Sequence, residues 1–329
     1  MATDGPTLSE VAGLAGVSVS TASQVYTGRR PVAKQTRRRV LQAAAELGFR
    51  PGHGAPAVGI VIRPSEAVSG FAFGTATFSN LAGALAIGCL DRGWSVFTAR
   101  TAAEVLEQVP RLDGCVVLYP GVRDETLELL TRRGVPTVSL DPDPGAEEFR
   151  WWSGVDYRGA LTGLLDHLAD GGAERIAVLV GQTDNAYRRA LLWTYSTAVT
   201  RRGQAPVLRV ADNAEGQLSA VEVVQALLAR PERPDAIVTS SSVFAAGAVA
   251  AADRLGIDVP GGLMIATATD GPPAERSRPP VTGLRIDITA AANRLVELLS
   301  ARMSSDGGPP QRALLPLDLV VRESTRRRR

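Results

Sequence analysis

The chain has 329 residues, is 45% hydrophobic and carries a formal net charge of +2. That length holds one small domain and about two larger ones. The composition excludes a collagenous or disordered chain, and no run of 18 apolar residues offers a transmembrane helix.

Met1 to Pro6 is a short lead without the basic-then-apolar pattern of a signal peptide, so a cytoplasmic protein away from membranes is expected. Thr7 to Pro51 then predicts three helices. In Leu8 to Ala15, Leu8, Val11, Ala12 and Ala15 share a face, and Thr7 with Glu10 has the spacing of a capping box. Gly16 breaks the chain, Val17 plugs the turn, and Ser18 caps a second helix, Val19 to Tyr26. Its inner face is Ala22 and Val25; its outer face is Ser20, Thr21, Ser23 and Gln24. Thr36 to Leu47 is the third, closed by Gly48. Two short helices around a glycine turn predict a helix-turn-helix, in which the second helix offers polar side chains to base edges. A small helical bundle without a DNA role is the plainer alternative. Charge favours the first reading. Residues 1 to 50 hold seven basic and three acidic side chains, a net +4 on a chain of +2, as a phosphate-contacting module needs.

The string VAGLAGVSVSTASQVYTG followed by RRRVLQAAAELGFRP resembles the N-terminal domain of the lactose-repressor (LacI/GalR) family of bacterial transcription regulators. The resemblance implies a DNA-binding headpiece, a two-lobed effector domain like periplasmic sugar-binding proteins, and a homodimer on a near-palindromic operator of double-stranded DNA. It also implies that Val19, Ser20 and Gln24 contact bases. Gln24 stands where an arginine is usual; arginine suits guanine, glutamine suits adenine. Ser18, Thr21, Ser23, Tyr26, Thr27, Arg29 and Arg30 read as phosphate contacts, which position without specifying sequence. Lys34 and Arg37 to Arg39 either join them or form a solvated face.

Pro51 to Ala57, PGHGAPA, departs most from the family. Members carry a hinge helix here, ending in a leucine that wedges into the minor groove. Two prolines, two glycines and no leucine predict a plain linker instead. From Val58 to Thr325 the pattern alternates strand and helix. Strands are predicted at 58–62, 94–98, 115–119, 137–140, 175–180, 206–210, 236–239 and 263–266. Helices are predicted at 79–92, 124–133, 158–169, 186–202, 218–229, 244–255 and 289–302. Continuously apolar strands point to parallel sheets covered on both faces. The fold class is therefore α/β: a three-helix helix-turn-helix headpiece (1–50), a linker (51–57) and two doubly wound parallel lobes, periplasmic-binding-protein-like. Lobe 1 is expected at about 58–154 and 286–312, lobe 2 at about 155–285 and 313–325. The four-arginine tail, 326–329, reads as a solvated end or an extra phosphate contact. Cys89 and Cys115, both in apolar runs, read as buried thiols.

Ligands of such sheets sit beyond the strand C-termini. Sugar-binding members present an arginine shortly before a Gly-aromatic pair, an Asn-Asp pair after a second-lobe strand, and an aspartate after the next strand. Here those places read Leu191, Ser241-Ser242 and Thr269, and the pair is Thr194-Tyr195. Asp270 comes one residue late. Arg188 and Arg189 are two or three residues out of register, the wrong helix face for at least one. The charged sugar-binding set is depleted. Candidates for a less polar ligand are Phe73, Phe78, Trp193, Tyr195 and Phe244, with Ser242, Asp270, Arg188, Arg189 and Asp141 as polar partners. Asp143 also follows the Asp141 strand, and Trp151-Trp152 read as packing at a lobe crossover. Three readings stand: a non-sugar small-molecule effector, no ligand, or control by a protein partner. His53 and His167 have no nucleophile at a catalytic spacing, so no enzyme, cofactor or metal is expected. The sum is a repressor with a shortened hinge and a non-standard cleft.

Overall fold

The computed structural model describes residues 6–27, 32–47, 49, 55–62, 76–109, 112–304 and 314–326. The chain divides into two compact units, Met1–Ala55 and Pro56–Arg329.

The first unit is three helices: α1 (Leu8–Ala15), α2 (Val19–Thr27) and α3 (Lys34–Leu47). The capping box forms. The Thr7 N–H donates to Glu10 Oε2 at 2.6 Å, and the Glu10 N–H donates to Thr7 Oγ1 at 3.3 Å. Gly16 ends α1 at φ 63°, ψ 42°, the left-handed region that suits a residue without Cβ. Val11, Ala12, Ala15, Ala22, Val25 and Val40 close a small core with Ala43, Ala44 and Phe49. A core that small depends on its helix ends. Thr7→Ala is expected to cost about 1 kcal/mol of headpiece stability, read as an earlier first transition in urea by far-ultraviolet circular dichroism. An unshifted transition would show that the box contributes nothing measurable.

The second unit holds two six-stranded sheets. The first lobe contains β1 (Ala57–Ile62), α4 (Ala76–Leu90), β2 (Ser95–Ala99), α5 (Ala102–Gln108), β3 (Gly114–Leu118), α6 (Glu125–Arg132), β4 (Thr137–Leu140) and β5 (Trp152–Val155). The second contains α7 (Tyr157–Asp170), β6 (Ile176–Val180), α8 (Ala186–Arg201), β7 (Val207–Val210), α9 (Gln217–Leu228), β8 (Ala236–Thr239), α10 (Ser242–Arg254), β9 (Met264–Thr267), α11 (Pro272–Arg276) and β10 (Thr282–Ile286). Helix α12 (Ile288–Met303) returns to the first lobe. Strand β11 (Leu314–Leu315) then adds to the first sheet and β12 (Leu317–Val320) to the second. The orders are β11-β5-β4-β3-β1-β2 and β12-β10-β9-β8-β6-β7. All pairings are parallel except β10 with β12.

Every residue of β3, β4, β6, β8 and β9 is buried, because helices cover both faces. In lobe 1, α4 and α12 cover one face and α5 and α6 the other. In lobe 2, α9 and α10 oppose α7 and α8. Gly247 lets α9 and α10 touch: a Cβ there would lie 2.6 Å from Ala220 Cβ and 2.8 Å from the Gln217 carbonyl. Cys89 and Cys115 are buried free thiols, pushed by burial to about 11 and about 12.

The structure moves several expected boundaries. Ala57 belongs to β1 rather than to the linker, most of which lies outside the described residues. Strand β11 sits in lobe 1, although 313–325 was expected in lobe 2, because the chain crosses a third time between Leu315 and Leu317. Trp152 opens β5, which pairs with both β4 and β11, so the tryptophan pair sits at the start of the last strand before the crossover. Trp151 is buried beneath the guanidinium of Arg302, 4.9 Å from its ring centre.

Candidate functional site

In the headpiece, α2 is an uncharged helix of sequence VSTASQVYT. Val19 is 47% exposed, Ser20 is exposed, and Gln24 and Ser23 are half-buried, above buried Ala22 and Val25. Ser18 caps the helix: its Oγ accepts the Thr21 N–H at 3.2 Å and lies 2.8 Å from Thr21 Oγ1 and 3.0 Å from Ser20 Oγ. Ser18 and Thr21 are thus ordered at a helix N-terminus, where backbone N–H groups favour a phosphate. The exposed Arg37, Arg38 and Arg39 on α3 supply positive charge. Arg29 and Arg30, and the side chains of Tyr26 and Thr27, lie outside the described residues.

In the second unit the strand C-termini of both lobes meet a cleft of about 380 Å³. Its wall is largely aromatic and aliphatic. Phe78 meets Tyr119 edge-on with centroids 5.1 Å apart, and Tyr157 meets Tyr187 at the same distance. Tyr119 ends β3 at φ 54°, an uncommon conformation outside glycine, which aims the strand end at the cleft. Burial pushes the Tyr119, Tyr157 and Tyr187 hydroxyls well above their ordinary range, so they act as neutral donors and acceptors. Tyr187 donates to the Ser240 carbonyl at 2.6 Å and accepts from Thr269 Oγ1 at 3.1 Å. The lobes touch where Thr77 Oγ1 donates to the Asp270 carbonyl at 3.2 Å and where Gly121 bridges Asn185.

Asp270 reaches this cleft but is already engaged. Arg322 donates to its two carboxylate oxygens at 2.9 and 2.7 Å, and Arg285 Nε donates at 2.9 Å. Burial raises its affinity for a proton, yet the Arg322 and Arg285 hydrogen bonds outweigh burial and hold the carboxyl below its ordinary range. Glu275 closes the knot at 2.6 Å from Arg285. Arg188 enters the cleft from α8, with Nε donating to the Gly181 carbonyl at 3.0 Å. Phe244 both lines the cleft and belongs to the lobe 2 core.

Other expected partners lie elsewhere. Arg189, one residue on, leaves the cleft and binds Asp184 through two hydrogen bonds of 2.9 Å. Trp193 is 53% exposed, with Arg158 stacked 4.2 Å over it. Together with Asp141 these line a separate open hollow, because successive turns of α8 face different ways. Asp141 ends β4 at φ 71° and accepts the Tyr157 hydroxyl at 2.6 Å. Asp143 is buried and ties a loop through the N–H groups of Arg123, Asp124 and Gly145. Ser242 is buried behind the cleft, and its Oγ has no hydrogen-bond partner among the described residues. Tyr195 is core: its hydroxyl donates to the Ile176 carbonyl and accepts the Val207 N–H. Phe73 lies outside the described residues. Thr77, Tyr119, Tyr157, Tyr187 and Asn213 were not anticipated. The signal for them was position alone, at strand ends and helix starts.

Sequence comparison agrees with this geometry. Residues 7–52 match the bacterial regulatory proteins of the lacI family, and residues 165–325 match the periplasmic binding protein-like domain. The chain belongs to the LacI family. As a LacI-family member it is a DNA-binding transcription regulator, not an enzyme. It is 25% identical to the transcriptional repressor PurR of Pasteurella multocida, over 98% of this chain and 99% of that one. It is 27% identical to the ribose operon repressor of Escherichia coli, over 97% and 99%. A solved complex of the regulator CelR with cellobiose superposes with a TM-score of 0.74 at 25% identity, covering 97% and 99%. A lac repressor dimer on operator superposes at 0.69 and 23% identity, a likeness of fold. Among the described residues, no helix of this LacI-family chain is long and apolar enough to cross a membrane.

Proposed function

We propose that this regulator represses transcription by binding a near-palindromic operator as a homodimer, under control of a non-sugar small molecule in the interlobe cleft. The observation that carries the DNA half is the α2 face of Val19, Ser20 and Gln24 on a closed headpiece core. Two copies related by a two-fold axis match a palindrome. Exposed Ile87 and Leu90 on α4, at 62% and 59%, and Leu218 on α9, at 69%, offer apolar surface for the second copy. The cleft half rests on volume and lining: about 380 Å³ falls within the ordinary range for small-molecule sites, about 300–1,000 Å³. The CelR relative holds cellobiose in its complex; here the cleft aspartate is consumed by arginines, which removes an acceptor a sugar hydroxyl requires.

Selection of bound DNA from randomised operators tests the reading. A single palindrome with adenine opposite Gln24 is expected. Gln24→Arg should move that base pair to guanine, with about 1–3 kcal/mol of discrimination. An unchanged preference in the variant would remove Gln24 from the base contacts. Absence of any palindrome would remove the operator-binding dimer.

A further inference from the structure

The cleft has an electrostatic imbalance. Four charged side chains line it among the described residues: Arg188, Asp270, Glu275 and Arg285. Asp270, Glu275 and Arg285 are bound to one another and to Arg322. Among the described residues, Arg188 has no carboxylate within ion-pair distance. The nearby Asp184, which it attracts weakly, is already held by Arg189. Arg188 is also fixed in place. Its backbone N–H donates to Asn185 Oδ1 at 2.9 Å, and its Nε donates to the Gly181 carbonyl at 3.0 Å. That leaves the two terminal nitrogens of a half-buried guanidinium for another acceptor. A guanidinium presents such nitrogens as a planar fork, which matches a carboxylate with two parallel hydrogen bonds.

The rest of the wall is apolar or holds neutral hydroxyls and amides, Asn80 and Asn213 among them. Phe78, Tyr119, Tyr157, Tyr187, Val243 and Phe244 surround the cleft. A dianion would bring more charge than one guanidinium neutralises. We propose that the effector is a small aromatic or alicyclic monocarboxylate, its carboxylate on Arg188 and its ring against the Phe78–Tyr119 and Tyr157–Tyr187 pairs. This rests on reading the cleft as the effector site.

The test is calorimetric titration of the full chain with four probes: benzoate, cyclohexanecarboxylate, benzamide and cellobiose. The acids are expected to bind about ten- to a hundredfold more tightly than benzamide, the worth of a charge-assisted contact. Arg188→Met is expected to erase that gap by weakening the acids while benzamide stays within about twofold. Arg188→Lys should keep part of the preference, and circular dichroism checks that both variants fold. Equal affinity for acid and amide overturns the proposal, as does an acid preference that survives in Arg188→Met. If cellobiose or benzamide binds and the acids do not, the carboxylate class falls while the cleft remains an effector site. If none of the four binds, both the class and the effector reading of the cleft fall.

Discussion

Replacing Asp270 by alanine is expected to destabilise the two-lobed unit by about 3–5 kcal/mol, the usual cost of stranding one partner of a buried ion pair. The Asp270 side chain is 3% exposed and that of Arg322 14%. Without the carboxylate, Arg322 keeps only Glu275, at 3.3 Å, and the Val281 carbonyl. Arg285 suffers less, because it is 49% exposed and water can replace the lost partner. Urea unfolding followed by tryptophan fluorescence reads the loss. A loss below about 1 kcal/mol would mean that Glu275 and water suffice for Arg322. The paired replacement Asp270→Leu with Arg322→Met should recover most of the stability, since removing both charges strands neither. The carboxyl is held below its ordinary range. Its contribution is therefore present above the ordinary carboxylate range and is lost as pH falls through that lowered value.

Asp141 behaves in the opposite sense. Burial pushes its carboxyl from 3.8 up to about 7, only partly offset by the hydrogen bonds from Tyr157 and the Val155 N–H. The folded chain therefore favours the proton. This stabilisation is full below about pH 3.8 and is lost as pH rises through about 7. Between pH 5 and pH 8 the two-lobed unit is expected to lose about 2–3 kcal/mol through this group, because about two pH units separate pH 5 from the folded value of about 7. Asp141→Asn should flatten that slope and leave the variant more stable than the parent at pH 8. The amide oxygen of an asparagine can accept as the carboxyl does, without bringing a charge into the buried site. Parallel urea titrations at the two pH values decide it. An unchanged slope in the variant would mean that the proton is taken up elsewhere, and not by His167, whose contribution has the opposite sign and grows as pH rises. Burial lowers the affinity of His167 for a proton, and its Nε2 lies 2.8 Å from Thr325 Oγ1.

The headpiece was legible from residue order because its determinants are local. A capping box, a glycine in the left-handed region and apolar spacing over a few turns act within about four residues of one another. Val11, Ala12, Ala15, Ala22 and Val25 are buried as their spacing predicts. The alternating strands and helices of both lobes were legible for the same reason. Apolar runs five residues long are recognisable wherever the chain later places them. Weaker elements were not. Strand β5 opens with Trp152 and continues with Ser153 and Gly154, which carry little strand pattern. Strand β11 is only two residues long.

The cleft divides along the same line. That its lining would lie at strand ends followed from the doubly wound pattern, and that its sugar-binding charges were depleted followed from the residues at the expected places. Which arginine enters it did not. Arg188 and Arg189 are adjacent and chemically identical, and only the packing of α8 sends one to Gly181 and the other to Asp184. The fate of Asp270 was equally hidden. Its partners come from β10 and from the segment after β12, 15 and 52 residues away, and Arg322 reaches it only because the chain leaves the second lobe after β10 and returns at β12. Sequence alone determined the headpiece helices, the α/β class and the uncharged second helix, because short-range periodicity and capping fix them. Tertiary structure decided the charge left free in the cleft, because ion pairing depends on distances that only chain return creates.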